Sequence, residues 1–178
     1  MTGLPSFPRR PGPGPATPAF LSGRGFRLRP AVDGDLPRLV ELYADTRADE
    51  LAPLPWPPAF KQDFLAQQFQ FQHRHYLGEH PDADFLAIER AGVVEGRYYL
   101  LRDAPDHRII DICLMSRYRG GGIGRALIEA SQREAQALGR GLALEVLVTN
   151  TQARALYERL GFQLEASTDT HHFMRWPG

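Results

Sequence analysis

Lysine and cysteine are almost missing from this 178-residue chain. The single cysteine, Cys113, excludes an internal disulfide framework and any cysteine-based zinc cluster. No run of ~18 or more apolar residues occurs, so no membrane-spanning helix is expected. Neither charge is in excess: 21 basic residues stand against 21 acidic ones, which gives no reason to expect a nucleic-acid partner. Lys61 is the only lysine among those basic residues, a compositional bias from which no function is drawn. The start of the chain lacks the apolar core of a secretory signal, and a cytoplasmic location is expected. Metal ligation is not expected either. His73 and His75, two apart on a helix, face away from each other, and His171-His172 has no acid at ligand spacing beside it.

What remains has a globular composition, 43% hydrophobic and 24% charged, at a length that buries one real core. Six of the 15 prolines fall within Met1–Pro18. Proline lacks a donor and glycine is costly to order, so residues 1–22 read as a disordered Pro/Gly/Arg-rich tail ahead of one domain, 25–178. Residues 1–30 hold five arginines and no acid, leaving 16 basic and 21 acidic side chains in the body. Period and punctuation give strands at 26–30, 84–90, 96–102, 108–115, 142–148, 162–166 and 170–175. Helices are expected from Asp33, over 59–76, over 122–138 and over 151–160. In the second helix Phe60, Phe64 and Phe71 are expected to face inward, with Leu65 and Phe69 as further candidates. The order βααβββαβαββ is an α/β layered fold with a mixed sheet.

The chemistry gathers after the fourth strand, in Arg119-Gly120-Gly121-Gly122-Ile123-Gly124-Arg125. Glycines let backbone N–H groups approach a ligand closely. The helix that follows adds unpaired N–H groups and the positive end of its dipole. With Arg119 and Arg125 these favour a phosphate or pyrophosphate. A P-loop needs Gly-Lys-Ser/Thr where this chain has Gly-Arg-Ala. A dinucleotide fingerprint starting at Gly122 puts Leu127 in the third glycine's place, although Glu145 stands near the acidic position that motif requires. The third pattern is Arg-x-x-Gly-x-Gly, matched by Arg119, Gly122 and Gly124. Downstream, Asn150-x-x-Ala153-x-x-Leu156-Tyr157-x-x-x-Gly161-Phe162 follows a strand reading Leu144-Glu145-Val146.

This pair of patterns resembles the two signatures of the Gcn5-related N-acetyltransferase (GNAT) superfamily. The resemblance implies a mixed central sheet with helices on both faces and two splayed parallel strands. It implies acetyl-CoA as co-substrate, with its pantetheine arm in the splay beside Leu114 and Met115. The pyrophosphate would rest on Gly120, Gly121, Gly122, Ile123 and Gly124, flanked by Arg119 and Arg125. Asn150 would contact the arm, and Tyr157 would stand at the thiol as its proton donor. An amine would then attack directly in a ternary complex. An exposed lysine amine has a pKa of ~10.4, so a base must take its proton. Glu145 and Asp111 are the candidates. The plain alternatives stay open: Tyr157 as a packed helix residue, Glu145 as a strand residue paired to an arginine.

The acceptor side of such a fold holds Trp56, Gln72 and Tyr76, polar and aromatic groups suited to an amine. The expected acceptor is a primary amine of a small molecule or of undefined kind, with a protein N-terminus or lysine less favoured. A homodimer is expected by analogy. The rival reading is a non-catalytic acyl-CoA sensor on the same fold.

Overall fold

The computed structural model describes residues 4–9 and 15–178. A short turn, α1 (Ala19–Ser22), precedes β1 (Phe26–Pro30), α2 (Leu36–Leu51) and α3 (Pro58–Glu79). Then come β2 (Asp84–Arg90), β3 (Val93–Leu101), β4 (Asp106–Leu114) and α4 (Ile123–Ala137). β5 (Gly141–Leu147), α5 (Thr151–Arg159), β6 (Gln163–Ser167) and β7 (His171–Trp176) complete the chain. The seven strands form one sheet in the order β1-β2-β3-β4-β5-β7-β6. Among the described residues only β4 and β5 pair in parallel, joined by the α4 crossover.

Two apolar clusters cover the two faces. Leu21, Phe26, Ile88, Tyr98, Leu127, Ile128, Leu142 and Met174 fill the side under α1, α4 and α5. Leu39, Leu42, Phe69, Phe85 and Tyr99 fill the side under α2 and α3. The turn at Ala91-Gly92 has both residues at positive φ, the geometry that lets a two-residue hairpin follow strand twist. Gly96 in β3 has no alternative. A Cβ there would come within 2.6 Å of the Cys113 carbonyl oxygen, so β3 and β4 close only because the side chain is absent.

Two expectations are corrected. The first concerns α3, whose buried stripe is Leu65, Phe69 and His73. Phe60 and Phe71 are more than half exposed. Apolar residues are spread around this helix, so spacing alone does not select a face; the i, i+4, i+8 row that meets β2 and β3 does. The second concerns the tail. Phe7 is buried between α3 and β2, its ring edge-on to His73 at 4.9 Å and beside Phe85. Its N–H donates to Asp33, and the Pro5 carbonyl lies 2.8 Å from His73 Nε2. Leu21 is fully buried, and the Leu28 N–H donates to Thr17 Oγ1. Proline density removes donors but does not remove these apolar anchors, so 4–9 and 15–22 pack against the sheet. The rest of the expected tail, 1–3 and 10–14, lies outside the described residues.

Candidate active site

Strands β4 and β5 pair only from Asp106–Gly141 to Ile109–Leu144. Beyond that point each keeps its outer partner, β3 for one and β7 for the other, and the two part. The splay lies between Ile110–Leu114 and Glu145–Leu147. A bulge in the β3–β4 register leaves Ile110 without a partner. Ile110 and Cys113 pack with the α2–α3 cluster, whereas Ile109 and Leu114 belong to the α4–α5 side.

The glycine loop closes the wide end of this gap. Gly120 and Gly122 have φ of 73° and 83°, left-handed values that suit glycine. A Cβ on Gly120 would meet nothing, so the loop's outer surface is open. Gly122 caps α4, and the Ala126 N–H is the one that returns to the Gly122 carbonyl. The N–H groups of Ile123, Gly124 and Arg125 therefore have no acceptor within the helix. Several N–H donors, the α4 dipole and an open glycine surface fit a pyrophosphate.

Arg119 takes a different place from the expected one. Its Nε donates to the Leu114 carbonyl at 2.9 Å and its Nη2 pairs with Asp45 at 2.8 Å. Asp45 also accepts from the Ser116 N–H and hydroxyl. Arg119 thus ties the loop to β4 and α2. Arg125 is exposed and pairs with Glu129 one turn on. The Met115 N–H points to β3 and donates to the Glu95 carbonyl, so it is not a free donor in the gap. Strand alternation turns the Leu114 backbone toward the gap instead. Asn150 caps α5 by accepting from the Ala153 N–H, a use that leaves its amide nitrogen uncommitted to the cap.

Tyr157 is buried, its ring 5.9 Å from Phe162. Burial pushes its hydroxyl up to about 12, and the nearby Asp111 charge adds to this. The phenol is therefore protonated throughout the neutral range. Glu145 is exposed and is the first β5 residue past the parting point. Asp111 is differently placed. Its Oδ2 lies 2.6 Å from Arg97 Nε, at an angle that makes the contact charge to charge. Arg97 also donates to Gln72 Oε1 at 2.6 Å. Burial opposes the Arg97 charge, and Asp111 together with Tyr99, Cys113 and Tyr76 outweighs it, so the guanidinium holds its proton more tightly than usual. Tyr76 and Tyr99 stand around this pair, both pushed well above the ordinary phenol value, mainly by burial. Trp56 is not with them; it packs on Phe60 and Phe64 at the start of α3.

Sequence reading did not find Arg97. The register sets Arg97 opposite Cys113 and Tyr99 opposite Asp111, so the ion pair is a diagonal across two strands. The signal in the sequence is an arginine two residues after Glu95 inside a strand rich in valine, leucine and tyrosine. Among the described residues no three His, Cys, Asp or Glu side chains are grouped to hold a metal ion.

Fold and loop together define an acyltransferase-type scaffold. Residues 40–162 match the Acetyltransferase (GNAT) family, and the chain belongs to that family. A ribosomal-protein alanine N-acetyltransferase of Bacillus subtilis is 35% identical over 92 residues, half of this chain and 60% of that protein. N-alpha-acetyltransferase RimI of Mycobacterium tuberculosis is 35% identical over 112 residues, 61% of this chain and 62% of that protein. The chain therefore aligns with less than two thirds of these relatives' length. Among solved structures, PaiA N-acetyltransferase of Thermoplasma acidophilum in complex with coenzyme A has a TM-score of 0.66 at 16% identity, covering 86% of this chain and 99% of that one. At that identity the likeness is one of fold.

Proposed function

We propose that the protein transfers an acetyl group from acetyl-CoA to the free α-amine of a peptide or protein N-terminus. The observation that carries the reading is the β4–β5 splay ending on the Gly120–Gly124 loop. The loop would hold the donor's pyrophosphate, and the gap would lead its thioester toward Tyr157.

The acceptor differs from the sequence expectation of a small molecule. Support comes from the relatives, one named as a ribosomal-protein alanine N-acetyltransferase and the other as an N-alpha-acetyltransferase. The base chemistry agrees with it. An α-amine has a pKa of ~8 against ~10.4 for lysine, so a larger share is already neutral at pH 7.5. An exposed carboxylate, Glu145, suffices to take the remaining proton, directly or through one water. Asp111 is already matched to the buried Arg97 charge and is the poorer base.

Tyr157 serves the leaving sulfur. A phenol near 12 does not fully protonate a thiolate whose ordinary value is ~8.5. Its part is to donate a hydrogen bond as charge builds on sulfur. Backbone N–H groups at the parting strands would do the same for the carbonyl oxygen. The test is CoA release from acetyl-CoA with a peptide bearing a free N-terminal amine, against the same peptide blocked there and carrying an internal lysine. Release with the first alone supports the reading. Release only with the second, or with small amines alone, refutes this acceptor.

A further inference from the structure

Trp56, Phe60 and Phe64 form an aromatic cluster that the core only partly uses. The Trp56 ring lies 5.1 Å from Phe60 and 5.4 Å from Phe64, edge to face with both. Phe64 packs on the α2–α3 core, whereas Phe60 is more than half exposed. Trp56 stands between Pro55 and Pro57, in a connection that also holds Pro53. Fixed φ at these prolines leaves the connection little freedom to lose, so the indole is held ready. Three rings braced on one another over a stiff connection make a preformed apolar shelf. Its neighbours Gln62, Asp63 and Gln67 are polar and exposed, which keeps the shelf about one side chain wide.

The place of the shelf along α3 gives it a use. Tyr76 stands edge-on to Tyr99 at 5.9 Å, and Gln72 accepts from Arg97. Tyr99 and Arg97 are in register with Asp111 and Cys113. From Tyr76 back to Gln72, α3 therefore follows β4 toward its Leu114 end, where the gap is wide. Gln68, Phe64 and Phe60 continue this row in four-residue steps. Each step turns about 40°, so the row winds from the sheet toward solvent. At ~1.5 Å per residue, Phe64 and Phe60 lie about 12 and 18 Å beyond Gln72. The α2–α3 connection is fixed at the same end, because Asp45 of α2 holds Ser116 and Arg119 just after β4. The shelf thus stands at the mouth of the gap. An acceptor whose amine has entered the gap carries its following residues out along this wall. An extended chain advances ~3.3 Å per residue, so it reaches the shelf at about its fourth to sixth residue. We propose that Trp56, Phe60 and Phe64 bind an apolar side chain at that distance from the acceptor's α-amine and so select among acceptor polypeptides. The proposal rests on the N-terminal acceptor reading. A second copy of the chain would need a far wider apolar face than this one.

The experiment measures kcat/KM by CoA release, using peptides with a free N-terminal amine in which a single leucine is moved residue by residue along a serine background. The enzymes are the wild type, Phe60→Ala and Phe60→Leu. Phe60 is exposed, and a thermal melt checks the fold of each variant. In the wild type, leucine at one of the fourth to sixth residues should raise kcat/KM about tenfold over serine there, through KM. Phe60→Ala should bring that ratio close to one. Phe60→Leu should keep it above about threefold, since an apolar surface is what the site supplies. A leucine preference confined to the first three residues overturns the proposal, as does one that survives Phe60→Ala. So does a concentration-dependent dimer in sedimentation that Phe60→Ala abolishes, which would assign the rings to a second copy. Acetylation of every peptide with no preference among positions removes the shelf alone. Failure of the wild type to acetylate any free N-terminal amine removes the acceptor reading, and the shelf with it.

Discussion

Arg97 Nε lies 2.6 Å from Asp111 Oδ2 inside the layer between the sheet and α3. The pair joins three elements, because Arg97 also holds Gln72 of α3. Removing one partner strands a charge away from water. Arg97→Met is therefore expected to cost about 3–5 kcal/mol in urea denaturation. The double variant Arg97→Met with Asp111→Leu should recover most of that loss, since apolar groups of similar size replace a buried pair at little cost. Purely additive losses would show that the two side chains do not act as a pair.

Tyr157→Phe should lower kcat about a hundredfold with acetyl-CoA affinity nearly unchanged. The ring keeps its packing on Phe162, so the melting temperature should hold. A large loss of affinity with kcat intact would make Tyr157 a binding residue. Glu145→Gln should lower kcat/KM and flatten the acid side of the pH–rate profile, which a purely structural carboxylate would leave in place.

Phe7→Ala should destabilise the protein by about 3 kcal/mol, the usual cost of emptying a buried phenylalanine site. Denaturant midpoints check this. A change below about 0.5 kcal/mol, the range of surface substitutions, would mean that the 4–9 segment is not packed in solution.

Three histidines, His73, His80 and His107, are held below the ordinary imidazole value by burial. Their native forms are neutral, so the unfolded chain binds more protons as pH falls through the unfolded value of about 6.5. Stability is therefore complete above that value and declines below it. Melting temperature should drop between pH 7.5 and 5.5, and His73→Gln should remove part of the slope. A flat profile across that window would contradict the burial.

The glycine loop was legible because its requirements are local: positive φ at Gly120 and Gly122, and an α4 start with free donors. The strand 84–90 and the Ala91-Gly92 turn were legible for the same reason. Arg97–Asp111 was not, because a diagonal contact depends on register between strands. Nor was the role of Phe7, a lone aromatic among prolines, whose partners His73 and Phe85 lie far along the chain. Arg119 shows the intermediate case. Its position in the motif was legible, but its Asp45 partner comes from α2 and turns it into a brace.

The most direct test of the central claim is calorimetric titration of the wild type and Gly122→Asp with acetyl-CoA. The aspartate would put a carboxylate on the phosphate loop and a side chain where φ is 83° and Phe20 stands. The account predicts saturable binding to the wild type and at least a hundredfold loss in the variant, with the melt showing a folded protein. Undiminished binding to folded Gly122→Asp would show that the pyrophosphate does not sit on this loop.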